Sequence, residues 1–147
     1  MIITNMREGH VSQVATLEKL CFGTEAWSEK SVASELTNPL SLWLVAEEAG
    51  EVLGYIGSQT VIDETDMMNV AVHPDFRGRG IATGLILGLV EELRKKGSHA
   101  LMLEVRASNE TAIRVYLRLE FAEVGRRKNY YRNPREDALI LRREIEA

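Results

Sequence analysis

Apolar residues recur at helical spacing at Val11, Val14, Leu17 and Cys21, which predicts an amphipathic helix over residues 9–21. A second helical segment starts at Ser28, a hydroxyl suited to capping a first turn that holds Glu29, and stops at Pro39. The period then changes. "SLWLVAEE" (41–48) and "VLGYIGSQTVI" (52–62) are rich in β-branched and aromatic residues, and the "AGE" stretch between them reads as the turn of a hairpin. "DET" makes another turn and "DMMNVAV" (66–72) a third strand. A strong helix follows. Ile81, Leu85, Leu89 and Leu93 share one face, with Ala82, Ile86 and Val90 beside them, and "RKKG" (94–97) closes it with cations and a glycine. "HALMLEV" (99–105) is a strand, and Ser108 or Asn109 caps a further helix carrying Ala112, Val115, Tyr116 and Leu119. "AEVGRRKNYY" (122–131) and "DALILRREI" (137–145) are strand-like. Helices, a meander, then β–α–β–α–β–β make a mixed α/β or α+β chain with crossover connections.

Length and charge narrow the function classes. The 147 residues fit one domain, 1–147, large enough to bury a core. A net charge of -4 argues against general nucleic-acid binding, which needs a basic footprint. The lone Cys21 rules out a disulfide within the chain and suits a reducing compartment. The first residues show no charged segment leading into an apolar stretch. The longest uncharged apolar-rich run, Ile81 to Val90, is short of the ~18–20 residues a membrane span needs. A cytoplasmic protein with no membrane or nucleic-acid partner is expected. His10, His73 and His99 are scattered without metal-ligand spacing, so no metal is expected.

The most informative stretch is "HPDFRGRGIAT", His73 to Thr83. Two glycines alternate with Arg77 and Arg79 directly before the strongest helix. Free N–H groups at a helix start carry the positive end of its dipole, and glycines let a phosphate approach the backbone. A phosphate or pyrophosphate ligand is the physical expectation; a plain strand-to-helix turn with solvated arginines is the alternative. A Walker loop is excluded by the missing Lys-Ser/Thr pair, and the dinucleotide fingerprint by Thr83 where a third glycine belongs.

Arg77-x-x-Gly80-x-Ala82, preceded by "NVAVHPDFRG", resembles the acetyl-coenzyme A motif of the GCN5-related N-acetyltransferases (GNAT). "LEVRASNETAIRVYLRLEF", "RRKNYY" and "EDALIL" resemble the branch of that family that acetylates the N-terminal alanine of a ribosomal protein. The likeness runs from "WSEKS" to "EDALIL", nearly the whole chain. It implies a splayed mixed β-sheet flanked by about four helices, with acetyl-coenzyme A as co-substrate. It also implies a pyrophosphate cradle at Gly78, Arg79, Gly80, Ile81, Ala82 and Thr83, entered by Arg77. The strand Val70, Ala71, Val72 would pair its backbone with the pantetheine arm, and Asn109 would touch the cofactor. The partner would be the N-terminal segment of a ribosomal protein. A small-molecule amine acceptor and a non-catalytic coenzyme A-binding module are the alternative functions.

By the same resemblance Glu104 is the general base and Tyr116 the acid that protonates the leaving thiolate. An α-amine has a pKa of about 7.7–8.0, so a base must relieve it of a proton before it attacks a thioester. Residue types alone leave other uses open. Glu104 alternates with Leu103 and Val105 and so faces the side opposite to them; it can be a solvated strand glutamate or be held by a neighbour such as Arg106. Tyr116 can be core, Asn109 a simple N-cap, Cys21 core, and Trp27 groove wall or core. "RRKNYYRNPRED" carries five basic residues with Tyr130 and Tyr131. That is either a peptide-binding lip or a β-edge guarded by charge. One departure stands out: Glu120 occupies the helix-ending position where the family usually has glycine, so either the turn is strained or the helix ends differently.

Overall fold

The computed structural model describes residues 1–146. Seven strands form one mixed sheet: β1 (Ile2–Asn5), β2 (Ser41–Glu48), β3 (Glu51–Val61), β4 (Glu64–Val72), β5 (Ala100–Arg106), β6 (Ala122–Arg132) and β7 (Arg135–Glu144). Four helices accompany it: α1 (Val11–Phe22), α2 (Glu29–Ser34), α3 (Ile81–Lys95) and α4 (Glu110–Arg118). The strand order is β1-β2-β3-β4-β5-β7-β6. Every neighbouring pair is antiparallel except β4 and β5. The pattern-based elements are all present, and β1 is an addition. Its four residues are too few for a period to show, and only its pairing along β2 makes it a strand.

Both faces of the central strands are covered, and side-chain alternation assigns each residue to a layer. Leu44 and Ala46 of β2 join α3, which buries Ile81, Leu85, Ile86, Leu89, Val90 and Leu93, together with Leu101, Leu103 and Val105 of β5. Trp43 and Val45, one step out of phase, join Val11, Val14 and Leu17 of α1 and Val32 of α2. Full burial of each such side chain stabilises the fold by about 1.5–3 kcal/mol. Gly57 makes room on the α1 side, since a Cβ there would sit 2.3 Å from the ring of Trp43.

The sheet carries register shifts in three of its ladders, and the one between β3 and β4 lies where β4 leaves β5. The parallel pair β4–β5 is in register only from Glu64–Asp66 against Ala100–Met102. Directly beyond, the ladder between β3 and β4 shifts: Ser58 faces Met67 and Gly57 faces Asn69, so Met68 is the extra residue of a bulge. From there β4 pairs only with β3, β5 pairs only with β7, and the sheet opens between them.

Candidate active site

The open end of the sheet is bounded by β4 on one side and β5 on the other. The His73 N–H donates to the Leu53 carbonyl at 2.8 Å, so residue 73 is turned toward β3. Antiparallel ladders alternate. Ala71 therefore also faces its partner Tyr55, while Val70 and Val72 present their backbone groups to the gap. Of these groups the Val72 carbonyl is already taken, accepting from the Arg77 Nε. The backbone of Ala71 is used within the sheet, paired with Tyr55.

The glycine turn sits at the mouth of the gap. Gly78 and Gly80 have φ of 81° and 77°, the left-handed region that glycine enters without steric cost. A Cβ at either would meet nothing within 4 Å, so space around the turn is open. Gly80 precedes α3, and no side chain caps that helix. The unpaired N–H groups of its first turn, from Ile81, Ala82 and Thr83, are therefore available to an anion. The arginines behave differently from the sequence expectation of charge aimed at a phosphate. Arg77 folds back: its Nε donates to the Val72 carbonyl at 3.1 Å and its Nη2 lies 3.7 Å from the Cys21 Sγ. Arg79 pairs with Glu48 at 3.5 Å and lies over the Phe76 ring at 5.5 Å. An arginine with a partner inside the protein is less available to a ligand, which leaves the unpaired backbone N–H groups as the free donors of the turn.

Glu104 projects from β5 on the face of α1 and α2, opposite Ile140 of β7. Its side chain is 31% exposed and accepts from the Arg127 Nε at 3.1 Å. Arg127 of β6, not Arg106, is its partner. Arg106 instead pairs with Glu136 at 3.6 Å, donates to the Pro134 carbonyl at 3.1 Å, and lies 4.2 Å above the Tyr131 ring. Glu136 also accepts from the Ser108 N–H at 2.9 Å, and that bond helps to hold its carboxyl below the usual range. The end of β5 thus clamps the β6–β7 hairpin, on which Tyr130 and Tyr131 stand edge to face at 5.1 Å.

Tyr116 enters from the opposite face. It is 7% exposed, packs edge to face on Phe121 at 5.5 Å, and belongs to the α3-side core. Burial, then the nearby Tyr131, pushes its hydroxyl up to about 12. Tyr131 in turn is pushed up by its own burial and by Glu104. The Arg143 Nε is the one buried side-chain N or O left unpaired among the described residues. The Tyr116 hydroxyl, which makes no side-chain hydrogen bond among them, is consequently not sealed in. Asn109 caps α4, its Oδ1 accepting from the Ala112 N–H at 3.2 Å.

Three acidic residues escaped the sequence reading. Asp66 shares the Glu104 face; partial burial, then the charges of Glu104 and Glu64, push its carboxyl up. Glu35 is 7% exposed, and burial alone would raise it. Hydrogen bonds from Gln59, Asn38, Ser41 and Trp43 outweigh that and hold it below the usual carboxylate range. Glu18 is fully buried on α1. Its signal was present: it lies four residues past Val14 and three before Cys21, on the apolar stripe of the helix. Trp27, on the loop between α1 and α2, is half-buried and tilts onto Trp43 at 5.5 Å.

The sheet thus parts between two parallel strands, with an uncapped helix behind a glycine turn at the opening. The chain is a member of the acetyltransferase (GNAT) family, whose model matches residues 11–121. Members of this family use acetyl-coenzyme A. The chain is 36% identical over 140 residues to a putative [ribosomal protein bS18]-alanine N-acetyltransferase of Bacillus subtilis, covering 95% of this chain and 92% of that one. It is 39% identical over 117 residues to the [ribosomal protein bS18]-alanine N-acetyltransferase of Escherichia coli, covering 78% of each. The crystal structure of the Escherichia coli ribosomal-protein-S18-alanine N-acetyltransferase superposes with a TM-score of 0.90 at 34% identity, over 99% of this chain and 94% of that one. No helix among the described residues is long and apolar enough to cross a membrane.

Proposed function

We propose that this acetyltransferase modifies the N-terminal α-amine of a protein, an alanine amine on a small-subunit ribosomal protein, by direct attack in a ternary complex. The observation that carries the reading is the half-exposed Glu104 carboxylate on β5, held by Arg127 of the β6–β7 hairpin that also carries the Tyr130–Tyr131 aromatic pair. The relatives named for alanine N-acetylation supply the acceptor class.

The residues present fit acetyl-coenzyme A. The gap-facing backbone of Val70 and the N–H of Val72 suit the amide-bearing pantetheine arm. The turn from Gly78 to Thr83 suits the pyrophosphate, and Asn109 stands at the start of α4 beside the same opening. When bound, the co-substrate supplies an activated acetyl thioester. Glu104 keeps its Oε1 on Arg127, which orients the carboxylate to take a proton from the incoming amine, directly or through one water. Tyr116 is protonated at any working pH and can hand its proton to the departing sulfur. Trp27, Tyr130 and Tyr131 flank the acceptor.

The test is acetyl transfer to short peptides that differ in their first residue, with free lysine and spermidine as comparators, in wild type and Glu104→Gln. Transfer to the alanine-starting peptide is expected. A general base contributes about 10²–10⁴-fold, so the variant should lose roughly that much in kcat/KM while still binding acetyl-coenzyme A. Activity confined to the small amines would reassign the acceptor, and an undiminished variant would remove Glu104 from the chemistry.

A further inference from the structure

Glu18 is a fully buried carboxylate with no cation beside it among the described residues. Its Oε1 accepts from the Trp27 backbone N–H at 3.0 Å and from the Asn69 amide at 2.9 Å. Its Oε2 accepts from the same amide at 3.1 Å and from the Tyr55 hydroxyl. A buried charge without a counter-ion is costly, and hydrogen bonds alone offset that here. The donors come from three separate places. Trp27 precedes Ser28, the N-cap of α2, and so fixes the loop between α1 and α2. Tyr55 is in the middle of β3. Asn69 follows the bulged Met68, at the point where β4 parts from β5.

We infer that Glu18 is a positioning residue for the acceptor: it fastens the Trp27 loop to the strand edge at which the sheet opens, and so sets where the acceptor wall stands relative to the gap. The inference rests on the acetyl-transfer reading above. Three features support it beyond ordinary packing. The loop has its backbone N–H, not merely its ring, held by this carboxylate. The same carboxylate grips Asn69, next to the bulge, through both oxygens. An apolar residue would satisfy the stripe of α1 equally well and leave all three donors unpaired.

The experiment uses the full chain with two substitutions. Glu18→Met keeps the volume and removes every acceptor. Glu18→Gln keeps one oxygen for Trp27 and Asn69 and lets the Tyr55 hydroxyl accept in place of donating. Each is assayed for KM of an alanine-starting peptide, KM of acetyl-coenzyme A and kcat, and amide hydrogen exchange is followed segment by segment. For Glu18→Met the peptide KM is expected to rise at least tenfold, with the acetyl-coenzyme A KM within twofold of wild type. Exchange should accelerate at least tenfold at residues 24–28 while α3 and β5 stay protected. Glu18→Gln should fall between the two and carries the test if Glu18→Met does not fold.

An unchanged peptide KM, or faster exchange throughout the chain with both KM values moving together, overturns the inference. If wild type acetylates no peptide, the functional reading fails on its own. The exchange comparison still decides the role of Glu18: selective release of 24–28 sustains the tether, and its absence removes it.

Discussion

Tyr116 and Asp66 are moved in the same direction with opposite chemical consequences. A tyrosine hydroxyl held at about 12 is roughly 1% ionised at pH 10, so it remains a donor throughout the range in which an α-amine becomes neutral. The kcat/KM of the enzyme should therefore climb with pH as the amine loses its proton, and no falling limb from Tyr116 should appear up to pH 10. Tyr116→Phe should lower kcat about 10–100-fold without weakening peptide KM, checked by steady-state assay. For Asp66 the raised value means that its charged form is less favourable in the folded chain than in the unfolded one. Above the folded value it therefore subtracts stability, and below an unfolded value of about 3.9 it subtracts nothing. Asp66→Asn should melt higher than wild type at pH 7, with the difference closing toward pH 4 in a thermal-unfolding series. Glu104 was legible as a strand carboxylate facing away from Leu103 and Val105. Its partner was not, because Arg127 reaches it from β6 across the intervening β7, and no local spacing reports such a contact.

At the level of elements, the end of α4 shows how a rule can be broken cheaply. Glu120 has φ 71°, so the left-handed stop is kept although glycine is absent. The Phe121 N–H bonds the Tyr116 carbonyl at 3.1 Å and the Glu120 N–H the Leu117 carbonyl at 3.2 Å, the paired closure of a Schellman end. The Tyr116–Phe121 ring contact supplies its hydrophobic clasp. The same two residues thus end the helix and seat the tyrosine. Of the two outcomes open from sequence, the strained turn is the one realised. A side chain in this region costs of order 1 kcal/mol. The Arg143 pair with Glu120, at 3.2 Å and largely exposed on the glutamate side, returns only part of that. Glu120→Gly should raise Tm by about 2–4 °C in calorimetry, with activity unchanged. Helices and strands were readable here because their periods are local. The β4 bulge was not, because it depends on which residue of β3 each residue of β4 opposes.

The molecule as a whole is built on a sheet that is continuous at one end and parted at the other. The two-sided core fixes which side chains face α1 and which face α3, and β5 uses that alternation to send Glu104 one way while α4 brings Tyr116 from the other. The order of elements and the family's splayed sheet were visible in the sequence through the turn at Gly78–Gly80 and the "LEVRASN" and "RKNYY" blocks. What joins the layers was less so. Glu18 and Asn69 are polar residues far apart along the chain, and only the packed fold shows that one carboxylate joins the α1–α2 loop, β3 and β4 into one hydrogen-bonded unit.

The chain has two tryptophans, and Trp27 and Trp43 stand 5.5 Å apart beside Tyr55 in that unit. Its natural fluorescence therefore comes almost wholly from one patch next to the Glu18 tether, and little from the glycine turn. The protein carries its own optical gauge: without any added dye, emission registers the state of one bank of the opening while remaining nearly blind to the other.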